Sequence, residues 1–221
     1  ILVGSMSFLM YNSITVSANA LKIENYVSIA TFGEGRKISV SEHDGTLYAL
    51  LYGSGLFTYN EKGFDKLYEG QLSSAKVSPD GKNIIFSSFG NIGIYEVSTG
   101  KVKEILKGDE KTLFYEEPSW ISNNSLLYTV RIIKDTDSVE LKKVEVNVLK
   151  KDLQTNREEK LAEGSYPSYV NGKNSIAFER DEKVIYKSLK DNSERFVVDG
   201  HEPTVSPDGK YIAFTRVERK V

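Results

Sequence analysis

Two histidines, His43 and His201, are the only imidazoles in the chain, and it has no cysteine. A Ser-His-Asp relay needs an activated serine beside a histidine. Gly53-Ser54-Gly55 and Gly164-Ser165 lack the G-x-S-x-G spacing of a nucleophile elbow. Both histidines are therefore expected to be solvated loop residues. Asp80 and Asp208 invite metal or acid chemistry, but each stands in a Ser-Pro-Asp-Gly sequence, where a carboxylate hydrogen-bonds its own backbone. Asp135-Thr136-Asp137 opens like a calcium-binding loop, yet lacks the Asp/Asn-Gly that should follow and the terminal Glu. Neither G-x-x-x-x-G-K-[ST] nor G-x-G-x-x-G occurs, so no phosphate cradle is legible. These residues predict no catalytic group, no metal site and no cofactor.

The elements that hold these residues announce themselves by repetition. VSPDGKNIIF at 77–86 returns as VSPDGKYIAF at 205–214, with weaker copies PSWISNNSLLYT at 118–129 and PSYVNGKNSIAF at 167–178, and a degraded SVSEHDGTLYAL at 39–50. The last apolar residues of the copies are Leu50, Phe86, Tyr128, Phe178 and Phe214, spaced by 36, 42, 50 and 36 residues. A four-stranded propeller blade needs about 40 residues. In each phrase Pro79 or Pro207 pre-sets φ, Asp80 or Asp208 suits the next position, and Gly81 or Gly209 takes φ > 0. The apolar run after the turn is continuous, as in a strand covered on both faces. Two further strands follow, Ile92 to Val97 and Val102 to Leu106 in the second copy, and Val184 to Leu189 and Arg195 to Val198 in the fourth.

The phrase P-x-W/V-S-P-D-G-K-x-I-A-F resembles the TolB-type, WD-like β-propeller repeat, which also occurs in the N-terminal propellers of prolyl-oligopeptidase-type serine peptidases. The resemblance covers about residues 36–221. It implies an all-β fold: four-stranded antiparallel blades, four of them (about 36–69, 72–108, 115–163 and 166–199) and the first two strands of a fifth. It also implies protein partners at one mouth of the channel. A propeller left at this point has an open edge, so the natural protein is expected to continue past Val221. The third blade holds an insertion at 130–153, expected as a long hairpin with its tip at 134–138 and with Val144, Val146 and Val148 on one face. Trp120 is expected between blades, as core.

Residues 1–20 carry no charge and end in Ala18-Asn19-Ala20, like the apolar region and cleavage site of a secretory signal peptide. The expected domains are a leader at 1–20 and a propeller at 21–221, with a strand at 25–33 before its first blade. The expected location is secreted, extracellular or periplasmic, in the cell envelope, with no membrane span in the mature chain. A net charge of −2 gives no general attraction to nucleic acid. The basic pairs Lys142-Lys143 and Lys150-Lys151 sit among acids and read as a solvated face.

In such a blade the loops alternate between two faces. The face opposite the Ser-Pro-Asp-Gly turns is expected to gather Asp109, Glu110, Glu116, Glu117, Asp135, Asp137, Asp199 and Glu202 into an acidic rim that recognises a basic protein. The expected function is a non-enzymatic protein-binding scaffold. The alternative is the propeller of a secreted serine peptidase whose catalytic domain lies beyond Val221.

Overall fold

The computed structural model describes residues 38–43, 46–51, 53–60, 63–134 and 143–216. The leader, the strand expected at 25–33 and the hairpin tip with Asp135 and Asp137 lie outside them. All the regular structure described is strand, and no helix is long and apolar enough to cross a membrane. Four sheets are four-stranded antiparallel meanders. The first holds β1 (Ile38–His43), β2 (Thr46–Leu51), β3 (Gly55–Asn60) and β4 (Gly63–Tyr68). The second holds β5 (Ser74–Val77), β6 (Asn83–Ser88), β7 (Asn91–Glu96) and β8 (Val102–Leu106). The third holds β9 (Leu113–Ser122), β10 (Ser125–Lys134), β11 (Lys143–Asp152) and β12 (Glu158–Glu163). The fourth holds β13 (Ser165–Val170), β14 (Ser175–Arg180), β15 (Lys183–Ser188) and β16 (Glu194–Asp199). A last pair, β17 (His201–Val205) and β18 (Ile212–Thr215), begins a fifth. The first strands touch in series, β1 to β5, β5 to β9, β9 to β13 and β13 to β17, so they form the inner wall of the arc.

The core lies between blades. Neighbouring residues of one strand point to opposite sheet faces, and Ile84 and Ile85 show the consequence. Ile84 joins Leu50, Leu56, Leu72 and Phe86 between blades one and two. Ile85 joins Trp120, Leu126 and Tyr128 between blades two and three. Leu127, Val148, Ile176 and Phe178 fill the next junction. A strand covered on both sides cannot alternate apolar with polar, which is why the repeated runs are continuous.

Each Ser-Pro-Asp-Gly turn closes in the same way. Gly81 N donates to Ser78 O at 2.9 Å and Gly209 N to Ser206 O at 2.8 Å. The glycines sit at φ 70 and 68. Asp80 Oδ1 accepts from Ser78 Oγ at 2.7 Å and Lys82 N at 3.1 Å. Asp208 Oδ1 accepts from Ser206 Oγ at 2.6 Å and Lys210 N at 3.1 Å.

Blade three departs from expectation in two respects. The long hairpin forms, with Lys134 opposite Lys143, but β9 lengthens with it. Because β10 continues to Lys134, the residues from Leu113 to Glu116 find partners along it up to Ile132. Glu116 and Glu117 therefore lie on a strand, not in a loop. The valine face is also graded: Val144 is 47% exposed, Val146 half-buried and Val148 fully buried. Lys151, expected on a solvated face, is buried at 5% exposure beside Glu158, its ammonium 2.9 Å from the carboxylate. Alternation puts it on the same side as Leu149 and Leu153, which pack against the second junction.

Candidate functional site

The meander sorts the loops. The first–second and third–fourth strand connections share the face of the Ser-Pro-Asp-Gly turns, and the other connections share the opposite face. The two faces differ in how their left-handed positions are filled. On the Ser-Pro-Asp-Gly face the non-glycine residues at positive φ, among the described residues, are Asn156, Asn174 and Asn192, the residue type that tolerates this region best. In the connections of the opposite face they are Phe89, Glu110, Asp181 and Glu182, and on the inner strands Glu117, Tyr166 and Glu202.

Three of these occupy one structural position. Glu117, Tyr166 and Glu202 each precede a proline, at φ 54, 53 and 51, on the inner strand of successive blades. At each the pairing to the second strand shifts register, between Leu127 and Thr129, Ser165 and Ser168, and His201 and Thr204. Proline cannot donate to the ladder, and the bulge accommodates it. At Tyr166 and Glu202 the amide is met by a carboxylate of the preceding blade. Glu117 Oε2 accepts from Tyr166 N at 2.8 Å and from Thr129 Oγ1 at 2.6 Å. Glu179 Oε2 accepts from Glu202 N at 3.0 Å, and Glu179 Oε1 lies 3.0 Å from His201 Nδ1. Burial pushes the Glu117 carboxyl above its usual range, against the hydrogen bonds from Thr129 and Tyr166. Burial, with the nearby carboxylates of Glu117 and Glu202, raises the Tyr166 phenol.

This geometry alters the expected rim. Glu117 is turned inward to hold the next blade, and Glu116 is matched by Arg131 Nε at 3.0 Å. Neither presents a free carboxylate, because the long hairpin brings Arg131 and Thr129 alongside. His201 is half-buried on a strand beside Glu179 rather than solvated in a loop. Asp109, although exposed, accepts from Lys111 N, Thr112 N, Leu113 N and the Thr112 hydroxyl. Those bonds hold its carboxyl well below the usual carboxylate range. Glu110 and Asp199 are exposed and Glu202 half-buried on this face. Phe89, missed in the sequence, is 68% exposed in the turn between β6 and β7. The Phe89-Gly90 pair, at φ 48 and 76, is a signal that a reading of the hairpin connection supplies.

A cleft of about 530 Å³ lies between the overhanging hairpin and blade four. Its charges are largely matched in pairs, Lys160 with Glu163 at 3.4 Å, Lys143 with Glu145 at 3.8 Å, and Arg180 with Glu194. Among the described residues no three His, Asp or Glu side chains converge to hold a metal ion.

The fold is a TolB-like, WD-like β-propeller, seen over four blades and two strands of a fifth. Neither a protein-family model nor a curated protein sequence matches the chain. Solved structures do. TolB from Acinetobacter baumannii is 17% identical, with a TM-score of 0.53 over 76% of this chain and 42% of that one. Pyrococcus horikoshii acylaminoacyl peptidase is 15% identical, with a TM-score of 0.54 over 85% of this chain and 36% of that one. An oligogalacturonate lyase in complex with manganese is 12% identical, with a TM-score of 0.53 over 76% of this chain and 54% of that one. The chain thus spans roughly a third to a half of these proteins, and the likeness is one of fold.

Proposed function

We propose that the chain is a non-enzymatic binding scaffold that recognises a protein through the face opposite the Ser-Pro-Asp-Gly turns. One observation carries this reading: among the described residues the left-handed positions of the turns hold asparagine on one face, and Phe89, Glu110, Asp181 and Glu182 on the other. Such residues cost on the order of 1–3 kcal/mol each in this region. A turn selected only to close a hairpin carries Asn-Gly, so side chains kept there against strain support a role in contact. Glu110, Asp199 and Glu202, with Asp109, Asp135 and Asp137 of the expected rim, would steer a basic partner, speeding association at low salt. A secreted or envelope location accompanies this reading, with cleavage after Ala20. N-terminal sequencing of the exported chain checks it, and a mature chain retaining Tyr11 would refute it.

The chain has no cysteine, so single cysteines at Glu110 or Asp181, and at Asn156 or Asn192 as controls, can each carry a photoreactive cross-linker. Cross-links to a discrete protein are expected from the first pair only. Equal yields from both faces would sink the reading. The likeness to the acylaminoacyl peptidase favours a second reading, a propeller beside a serine-peptidase domain. A G-x-S-x-G sequence followed by Asp and His downstream of Val221 would establish it.

A further inference from the structure

We propose that the free edge of β11, beside the cleft, receives an extended peptide of the protein partner as an added strand. The inference rests on the reading that the face opposite the Ser-Pro-Asp-Gly turns is the binding face. β11 runs from Lys143 to Asp152, but β12 pairs with it only from Asn147 to Lys151. Gly164 ends the pairing. Its amide donates to Val146 O at 2.9 Å, and at φ 135 the chain then turns into blade four, so closely that a Cβ there would run into Glu179 O. Alternation tells where the uncovered backbone groups point. Leu153 N donates to Asn124 O, on the β10 side, whereas Asp152 N donates to Arg157 O and Val146 O accepts from Gly164 N, on the β12 side. The pairing of β10 with β11 runs without a register shift from Ser125 to Lys134, so residues two apart keep their direction. Val144 therefore turns its N–H and C=O, and Val146 its N–H, away from β10. Among the described residues no hydrogen bond meets these three groups.

Donors and an acceptor set out along an extended backbone are the complement of another strand. The side chains around them say which kind. Val144 and Val146 lie on the side of Val148, which fills the junction with blade four, and Val144 is 47% exposed. A residue opposite Val144 on an added strand points to this same side, so an apolar one covers it. The charges along this wall are met within the protein, with one exception. Arg131 is matched by Glu116, Arg180 by Glu194, and Glu179 faces His201. Asp181 also lines the cleft, is exposed, and has no ion pair among the described residues. A basic residue two positions from the apolar one stands on the same side of the added strand and complements it. The cleft of about 530 Å³ is walled by blade four, which leaves room for a single extended segment and not for the sheet of a second copy.

The test selects short random peptides displayed on phage against the full chain, then titrates the tightest binder, made synthetically, by fluorescence anisotropy. The expected peptide carries an apolar residue with lysine or arginine two positions away. N-methylation of an amide that faces β11 should weaken it about tenfold, and N-methylation of the adjacent amide, which faces away, should not. Val144→Pro removes an outward N–H at an edge position that tolerates proline, and should weaken binding about tenfold without lowering the melting temperature. Asp181→Asn should bind the peptide and its norleucine-substituted form equally. The methylated peptides test the unaltered protein, so the result does not depend on the folding of a variant. Failure to enrich any peptide, equal effects of methylation at adjacent amides, or binding unchanged by Val144→Pro would overturn the site. So would a dimer of the full chain that Val144→Pro dissociates, which would give the edge to a second copy. Cross-links from Glu110 but not from Asn156, with no peptide bound at the edge, would overturn this site and leave the binding face standing. Equal cross-links from both faces would sink the reading beneath it.

Discussion

Asp208 shows how much one side chain settles locally. Its Oδ1 accepts from the Ser206 hydroxyl and from Lys210 N, and these bonds lower its carboxyl to about 2. The ionised form is the one the fold favours. The stability it contributes is thus complete above the ordinary aspartate range and is lost as pH falls through about 2. Denaturant midpoints should accordingly fall between about pH 4 and pH 2, and Asp208→Asn should show a shallower fall over that window. The glycine after it is constrained twice. At φ 68, a Cβ on Gly209 would lie 2.6 Å from Asn171 O of blade four, whereas Gly172, at φ 73, has nothing within 4 Å. Gly172→Ala should cost about 1 kcal/mol through backbone strain alone. Gly209→Ala should cost measurably more, and Gly209→Val at least 1–3 kcal/mol. Equal urea midpoints for the two alanine variants would count against the contact between the turns.

The hairpin of β10 and β11 is the element that most changes the meaning of its residues. It leaves the disc gradually, so a single valine stripe passes from solvent to core along its length. Val148→Ala, at a fully buried site between blades three and four, should cost about 2 kcal/mol in urea unfolding. Val144→Ala, at a site 47% exposed, should stay within about 0.5 kcal/mol. Comparable losses at both would mean that the hairpin packs against the disc along its whole length. The same lengthening recruited the start of β9 into the sheet, and with it Glu116 and Glu117. A carboxylate expected at a rim became the acceptor for the amide of Tyr166.

At the scale of the whole molecule the blades touch chiefly their neighbours, and the buried clusters sit at successive junctions. Stability in such a stack is close to a sum of nearest-neighbour contributions. Ile84→Val, in the first junction, and Ile176→Val, in the third, should each cost about 0.5–1.5 kcal/mol. The double variant should equal their sum within about 0.5 kcal/mol. A larger coupling would show that blades two and three transmit strain across their width. Trp120, the sole tryptophan, lies at the junction between them, and its fluorescence reports whether that junction opens with the rest of the protein.

The propeller was legible because its instructions are local and repeated. Ser-Pro-Asp-Gly closes a turn through its own atoms, and the apolar run after it is continuous because both strand faces are covered, so spacing and composition suffice to mark a blade. Trp120 could be placed between blades on the same ground. What the sequence could not show is which polar side chain meets which neighbour across a junction. Glu116 and Glu117 read as surface acids, and only the lengthened β9 set one against Arg131 and turned the other toward Tyr166. Lys151 read as a solvated cation, and only the packing of blade three on blade two buried it against Glu158. Turn chemistry is decided within a few residues of the backbone. The burial and pairing of a charge are decided by side chains far away in sequence that only the tertiary fold brings together.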